Sequence, residues 1–247
     1  MSETTPTVVL VHGAFADASS WNGVVERLQG ANIKVTAPPN PLRGISIDSA
    51  YIASFFGQIE GPILAVGHSY GGAVITNAAT DAPNVVGLVY VAAFAPDEGE
   101  LLGELAPTSK DSVLNEVLRP FQYPAGDGKT ATEFGIDPAR FQEAFAVDLP
   151  IEQTAIMAAT QRPISELAFS EPNGPPAWKS LPSWAVVATG DKAIGHDLVQ
   201  SMAERSGATI TEVEGSHVIM ISQPGIVADV ITTAAAAVDR ATVTAGG

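Results

Sequence analysis

The chain predicts an α/β fold in which a mostly parallel six-stranded sheet carries helices on both faces. Three observations point there. Strand-like β-branched runs alternate with helical patterns along most of the length; a glycine-flanked serine, Gly67-His68-Ser69-Tyr70-Gly71, directly follows the apolar run Ile63-Leu64-Ala65-Val66; and an aspartate and a histidine follow that serine, each just beyond a later strand-like run.

The six strands are read at residues 7–11, 33–37, 63–66, 85–92, 184–189 and 209–213. The first helix is specified by Trp21, Val24, Val25 and Leu28, which fall at i, i+3, i+4 and i+7, with Ser19 or Ser20 available as its N-cap. Further helices are expected at residues 48–59, 70–80, 197–206 and 225–238, and the tail 241–247 reads as frayed. Between the fourth and fifth strands lies a stretch too long for a simple connection. Strand-like runs are absent from it, and helix-like segments near 112–118, 138–146 and 152–160 precede a turn-rich return at 171–176. The expectation is a core domain of residues 1–96 and 182–247 with a helical cap, residues 97–181, inserted over the carboxyl edge of the sheet.

With 247 residues, 46% of them hydrophobic, the chain can bury a full core as one domain. It has no cysteine, which excludes disulfides, thiolate metal ligands and a cysteine nucleophile. A formal charge of −15, from 27 acidic and 12 basic residues, would repel a phosphate backbone over most of the surface, so nucleic acid is not expected as a partner. The first six residues lack a basic region, and the run Val8-Val9-Leu10-Val11 is too short for a signal or a membrane segment. A soluble cytoplasmic protein is the expectation, with no membrane association.

The glycine-flanked serine reads as a nucleophile elbow, since the flanking glycines let strand and helix approach closely while the serine hydroxyl projects above the sheet edge. A serine hydroxyl is a poor nucleophile at neutral pH. It needs a neutral imidazole to take its proton and an acid to hold that imidazole in the right tautomer. Of the four histidines, His217 follows the last strand in Gly215-Ser216-His217, where a general base is required. His12 ends the first strand, His68 lies inside the elbow, and His196 reads as a solvated residue near a helix start. Asp191, in Thr189-Gly190-Asp191-Lys192, is the favoured acid; Asp97, after the fourth strand, is the rival, with a hinge or capping role as its alternative. Asp197 reads as an ordinary helix-start acid. The turn His12-Gly13-Ala14-Phe15 would aim a backbone N–H at a developing oxyanion, from Ala14 or alternatively Phe15, with Tyr70 supplying the second. Phe15, Trp21, Phe94 and some of Phe121, Tyr123, Phe141, Phe145, Met157 and Trp178 are candidates to line an apolar pocket.

Taken together, Val11-His12-Gly13-Ala14-Phe15 with Trp21, Gly67 through Gly72, Phe94-Ala95-Pro96-Asp97, Thr189 through Lys192 and Gly215-Ser216-His217 resemble the α/β-hydrolase superfamily. More narrowly, they are similar to the plant methylesterase and hydroxynitrile lyase branch and its bacterial esterase relatives. The resemblance covers nearly the whole chain and implies a six-stranded hydrolase sheet, a helical cap and a Ser69–His217–Asp191 triad that uses no cofactor and no metal. Two departures bear on activity: lyases of that branch carry a threonine where this chain has Gly13 and a lysine where it has Val218, both used in handling cyanide. The implied activity is hydrolysis of small-to-medium apolar carboxylic esters through an acyl-enzyme. The alternatives are a lactonase, thioesterase or perhydrolase with the same triad, or a ligand receptor on a hydrolase scaffold.

Overall fold

In the computed structural model, which describes residues 5–245, β1 (Thr7–Val11) is buried from Val8 onward. Such a strand, apolar on both faces, belongs in the interior of a parallel sheet covered on both sides. Its neighbours are β2 (Val35–Thr36) and β3 (Ile63–His68), and the sheet continues through β4 (Val85–Val91). The chain then leaves the sheet for three further strands, β5 (Leu118–Gly126), β6 (Lys129–Ile136) and β7 (Ile164–Ser165), and returns as β8 (Ser183–Ala188) and β9 (Thr209–Val213). The main sheet has the order β2-β1-β3-β4-β8-β9, and all its pairings are parallel. The six predicted strands are these six, most with ends shifted by a residue or two.

The strand order reverses between β1 and β3, because the chain runs outward from β1 to β2 and then crosses back. At such a switch point the connections leave the two carboxyl ends in opposite directions and open a crevice between them. His12 and Gly13 follow β1, and Ser69 follows β3, so both segments flank that crevice.

The helix Asn22–Gly30 packs on the terminal helix Pro224–Ala245, while Ile45–Phe56 packs on Tyr70–Ala78 and His196–Arg205 covers β8 and β9. The serines proposed to cap the first helix do not do so. A 3₁₀ turn, Ala18–Trp21, comes first, and the side chain of Asp17 accepts the Ser19 amide as its cap. The terminal helix continues to Ala245, through most of the tail read as frayed; residues 246 and 247 lie outside the described residues. Among the described residues, no helix is long and apolar enough to cross a membrane.

The excursion over the sheet edge is only partly helical. It holds short helices, among them Leu114–Val117, Phe141–Phe145 and Ile151–Thr160, but also a three-stranded antiparallel sheet, β5-β6-β7. β5 escapes a hydrophobic-pattern reading because nearly all of it is exposed and it contains Pro120 and Pro124. The signal that was present is Asp127-Gly128, both at positive φ (50° and 72°), a two-residue hairpin turn whose twist suits antiparallel strands.

At the turn after β3, a Cβ on Gly71 would lie 2.3 Å from Val11 O, and one on Gly72 would lie 2.4 Å from Phe94 O. Both contacts are with backbone, which cannot swing aside. Gly71→Ala is therefore expected to cost at least about 2 kcal/mol by urea unfolding, in the range of overpacked cores. Gly30→Ala, where a Cβ meets nothing within 4 Å, should be neutral or stabilising by up to about 1 kcal/mol. Equal stabilities for the two variants would refute the close-approach explanation.

Candidate active site

Ser69 sits between β3 and the helix Tyr70–Ala78 with φ 54° and ψ −123°. A non-glycine residue held at positive φ costs roughly 1–3 kcal/mol and persists only where its surroundings over-determine it. They do so here: the Ser69 amide donates to Val91 O, and its carbonyl accepts from the amides of both Gly72 and Phe94. The serine is fastened to β4 on one side and to its own helix on the other.

His217, 1% exposed, donates from Nδ1 to Asp191 Oδ2 at 2.8 Å. The other oxygen of Asp191 accepts the amides of Ala193 (2.8 Å) and Ile194 (3.1 Å). A carboxylate gripped on both oxygens cannot rotate away, so it fixes the imidazole plane and the tautomer with the proton on Nδ1. His217 Nε2 is left buried without a hydrogen-bond partner, and the histidine lines the same small cavity as Ser69. The His217 ring makes tilted contacts with Phe145 and His68, at centroid distances of 4.9 and 4.7 Å.

Asp97 is brought to a different place. It pairs with Lys179 and accepts the Glu98 amide at the point where the chain leaves the sheet, and the neighbouring Pro96 carbonyl accepts from the Trp178 indole on the returning segment. It fastens the base of the excursion. Asp197 is likewise more than a helix-start acid, because it accepts from the Ser109 hydroxyl and the Lys110 amide and so ties the excursion to the helix after β8. His196 is half-buried and its Nε2 has no partner, which corrects the expectation of a solvated ring.

The other two histidines are structural. His12 Nε2 accepts the Asn40 amide at 2.9 Å, so its proton is on Nδ1, which donates to Gly13 O. Burial, reinforced by the Arg162 charge, lowers its pKa to about 4. His68 donates from Nε2 to the backbone carbonyl of His217 at 3.0 Å, joining the elbow to the His217 loop. Complete burial holds its pKa well below the ordinary histidine value.

Ala14 and Tyr70 line the cavity beside Ser69 and His217. The Phe15 amide, the alternative oxyanion donor, is committed to Arg162 O at 3.1 Å and drops out of that role. The Tyr70 amide opens a helix, where backbone N–H groups lack intrahelical acceptors and the helix dipole favours negative charge. Its phenol donates to Asp48 Oδ2 at 2.7 Å, a buried anchor that also accepts the amides of Arg43 and Gly44 and that no sequence motif announced. Burial raises the Asp48 carboxyl above the usual range and, with the adjoining carboxylate, the Tyr70 phenol well above 10.

The cavity holds about 20 Å³, room for roughly one water. Of the proposed pocket residues, Phe15 and Phe94 line it, as does Phe145. Trp21 is fully buried edge-on to His68, Phe121 is exposed on the hairpin, Tyr123 lies under the Arg43 guanidinium, Met157 faces a separate groove, and Trp178 bonds Pro96. Of these five, Phe121 and Tyr123 are carried away from the cavity by the hairpin strand β5. The lining that sequence reasoning missed, Leu102, Leu114, Phe169, Ala193 and Ile194, consists of ordinary apolar residues that carry no motif.

Residues 8–230 match the alpha/beta hydrolase family. The chain belongs to that family. It is 25% identical over 252 residues to the alpha/beta hydrolase nvfD of Aspergillus novofumigatus, covering 93% of this chain and 96% of that one. It is 24% identical over 242 residues to methylesterase 8 of Arabidopsis thaliana, covering 90% and 86%. The crystal structure of polyneuridine aldehyde esterase superposes with a TM-score of 0.77 at 20% identity, over 92% of this chain and 97% of that one; this likeness concerns the fold. Family membership accounts for the sheet order and the elbow together.

Because the folded-state value of His12 lies below the unfolded 6.5, its neutral form contributes fully above that pH. The contribution, about 3 kcal/mol for a value near 4, is lost as the pH falls from 6.5 toward 4. His68 acts in the same direction. An NMR titration of the imidazole resonances should find both rings neutral at pH 5.5 in the folded protein. A midpoint near 6.5 for either would contradict the buried, neutral assignment.

Proposed function

We propose that this hydrolase cleaves carboxylic esters of small-to-medium apolar substrates through an acyl-enzyme on Ser69. The observation that carries the proposal is the pairing of His217 with an immobilised Asp191, which leaves Nε2 unbonded in the cavity shared with Ser69. The name of the methylesterase relative agrees with ester chemistry.

In the acylation step, His217 Nε2 takes the Ser69 proton as the oxygen bonds to the acyl carbon. The carbonyl electron pair becomes an oxyanion held by the Ala14 and Tyr70 amides. Collapse of this intermediate expels the alkoxide, which takes the proton from His217. Water then repeats the sequence at the acyl-enzyme and releases the acid. Asp191 keeps the proton on Nδ1 throughout and offsets the charge of the imidazolium. The cavity wall is otherwise apolar and contains no cation, so burying an anionic acyl group there is costly.

Cyanohydrin cleavage is disfavoured at Gly13. A Cβ there would lie 2.7 Å from Ser69 Cβ and 2.9 Å from His68 O, so this backbone has no room for the threonine used by the lyases.

A panel of neutral esters, lactones, thioesters and mandelonitrile tests the proposal. Ester turnover should be Ser69-dependent and exceed cyanide release. Ser69-dependent cyanide release faster than every ester would overturn it, as would tight ligand binding without turnover of any substrate. On one ester, Asp191→Asn should lower kcat by about 10⁴, because the imidazole can then adopt the wrong tautomer. Asp97→Asn should retain activity near that of the parent. If Asp97→Asn alone abolishes turnover in a folded protein, the acid has been misassigned.

A further inference from the structure

The small cavity cannot hold a whole ester. A second space, a groove of about 400 Å³ that also has Phe15 in its lining, lies between the segment after β1 and the cap helix Ile151–Thr160. Phe15 lines both spaces, 4% exposed, with its backbone fixed by Arg162 O and its ring edge-on to Phe145 at 6.0 Å. Phe15 is thus the lining residue that the two spaces share.

The two sides differ in chemistry. Apart from Ser69, His217 and the buried Tyr70, the Ser69 side is walled by Ala, Leu, Ile and Phe. The groove combines apolar Ile156, Met157 and Ile221 with polar Asp17, Asn22 and Gln153, and among its lining residues there is no cationic side chain. Ile156 is 66% exposed, so its apolar surface is open to a ligand in the groove. Ile221 belongs to the short helix Ile219–Ser222 that directly follows His217. A leaving alkoxide must receive its proton from His217, and the groove approaches the His217 loop through Ile221, four residues further on.

Resting on the esterase reading, we infer that this groove is the leaving-group site of the Ser69 centre, taking the bulky, neutral or cationic alcohol of an ester whose acyl part is short. Asp17, ionised and capped onto Ser19, would repel an anionic alcohol and accept a hydrogen bond from a polar one. Movement of the Phe15 ring would join the two spaces, giving the scissile bond a path between a short-acyl cavity and a large-alcohol groove.

Three esters separate the halves: methyl acetate, 2-naphthylmethyl acetate and methyl 2-naphthoate, assayed with the parent, Ile156→Trp, Met157→Trp and Ser69→Ala. The two tryptophans add bulk to the groove from positions outside the catalytic residues. The expected result is that the parent prefers naphthylmethyl acetate, that at least one tryptophan variant loses about tenfold or more in kcat/KM on it, chiefly through KM, and that methyl acetate changes less than about twofold. Unchanged Ser69-dependent hydrolysis of naphthylmethyl acetate in both variants would overturn the inference. So would a loss confined to methyl 2-naphthoate, which would make the groove an acyl site. No Ser69-dependent turnover of any of the three by the parent would instead count against the esterase reading itself.

Discussion

Backbone meets backbone at the turn after β3, and the rest of the site depends on that contact. Gly67, Gly71 and Gly72 leave no room for a Cβ, each hypothetical atom falling within 2.6 Å of neighbouring main chain. Only because these positions are bare can the helix Tyr70–Ala78 begin immediately beyond the sheet. That start places the Tyr70 amide at a helix N-terminus beside Ser69, and the same compression holds Ser69 at a positive φ. The strain of one residue is stabilised by hydrogen bonds to Val91, Gly72 and Phe94, so the geometry is present before any substrate arrives.

Neutral imidazoles extend this rigidity to the far side of the crevice. His68, inside the elbow, holds the carbonyl of His217, and His12 joins the end of β1 to Asn40. Both rings bond in a single tautomer, and burial keeps them uncharged. The excursion contributes as well: Asp148 accepts the Ser216 amide and hydroxyl, and Phe145 packs at a tilt against the His217 ring. The His217 loop is thus bounded by the elbow on one side and by the excursion on the other, with Asp191 behind it.

The parts of this arrangement legible in the sequence are those that leave a local chemical mark. The inner strands β1, β3, β4 and β8 are largely apolar runs because both of their faces are covered, and the elbow declares itself through glycines that no other residue can replace. Asp191 could be set against Asp97 because each follows a different strand, and the structure brings Asp191 to His217. The excursion was less legible. Its first strand, β5, is exposed and interrupted by proline, so only Asp127-Gly128 marked the hairpin, and Phe121, Tyr123, Met157 and Trp178 were spread among other contacts while Phe145 reached the cavity. The Tyr70–Asp48 anchor joins residues 22 positions apart with no motif between them. Phe15 was placed in the right loop, but its amide could be excluded only once Arg162, far along the chain, was seen to accept it.

The central claim is that Ser69 is a nucleophile poised by its backbone and served by His217. The most direct measurement is intact-mass and peptide analysis after treatment with a fluorophosphonate. The elbow geometry predicts one phosphonyl adduct, mapped to the peptide containing Ser69, absent from Ser69→Ala and much slower to form in His217→Ala. An adduct on another serine, or none on the folded protein, would contradict it.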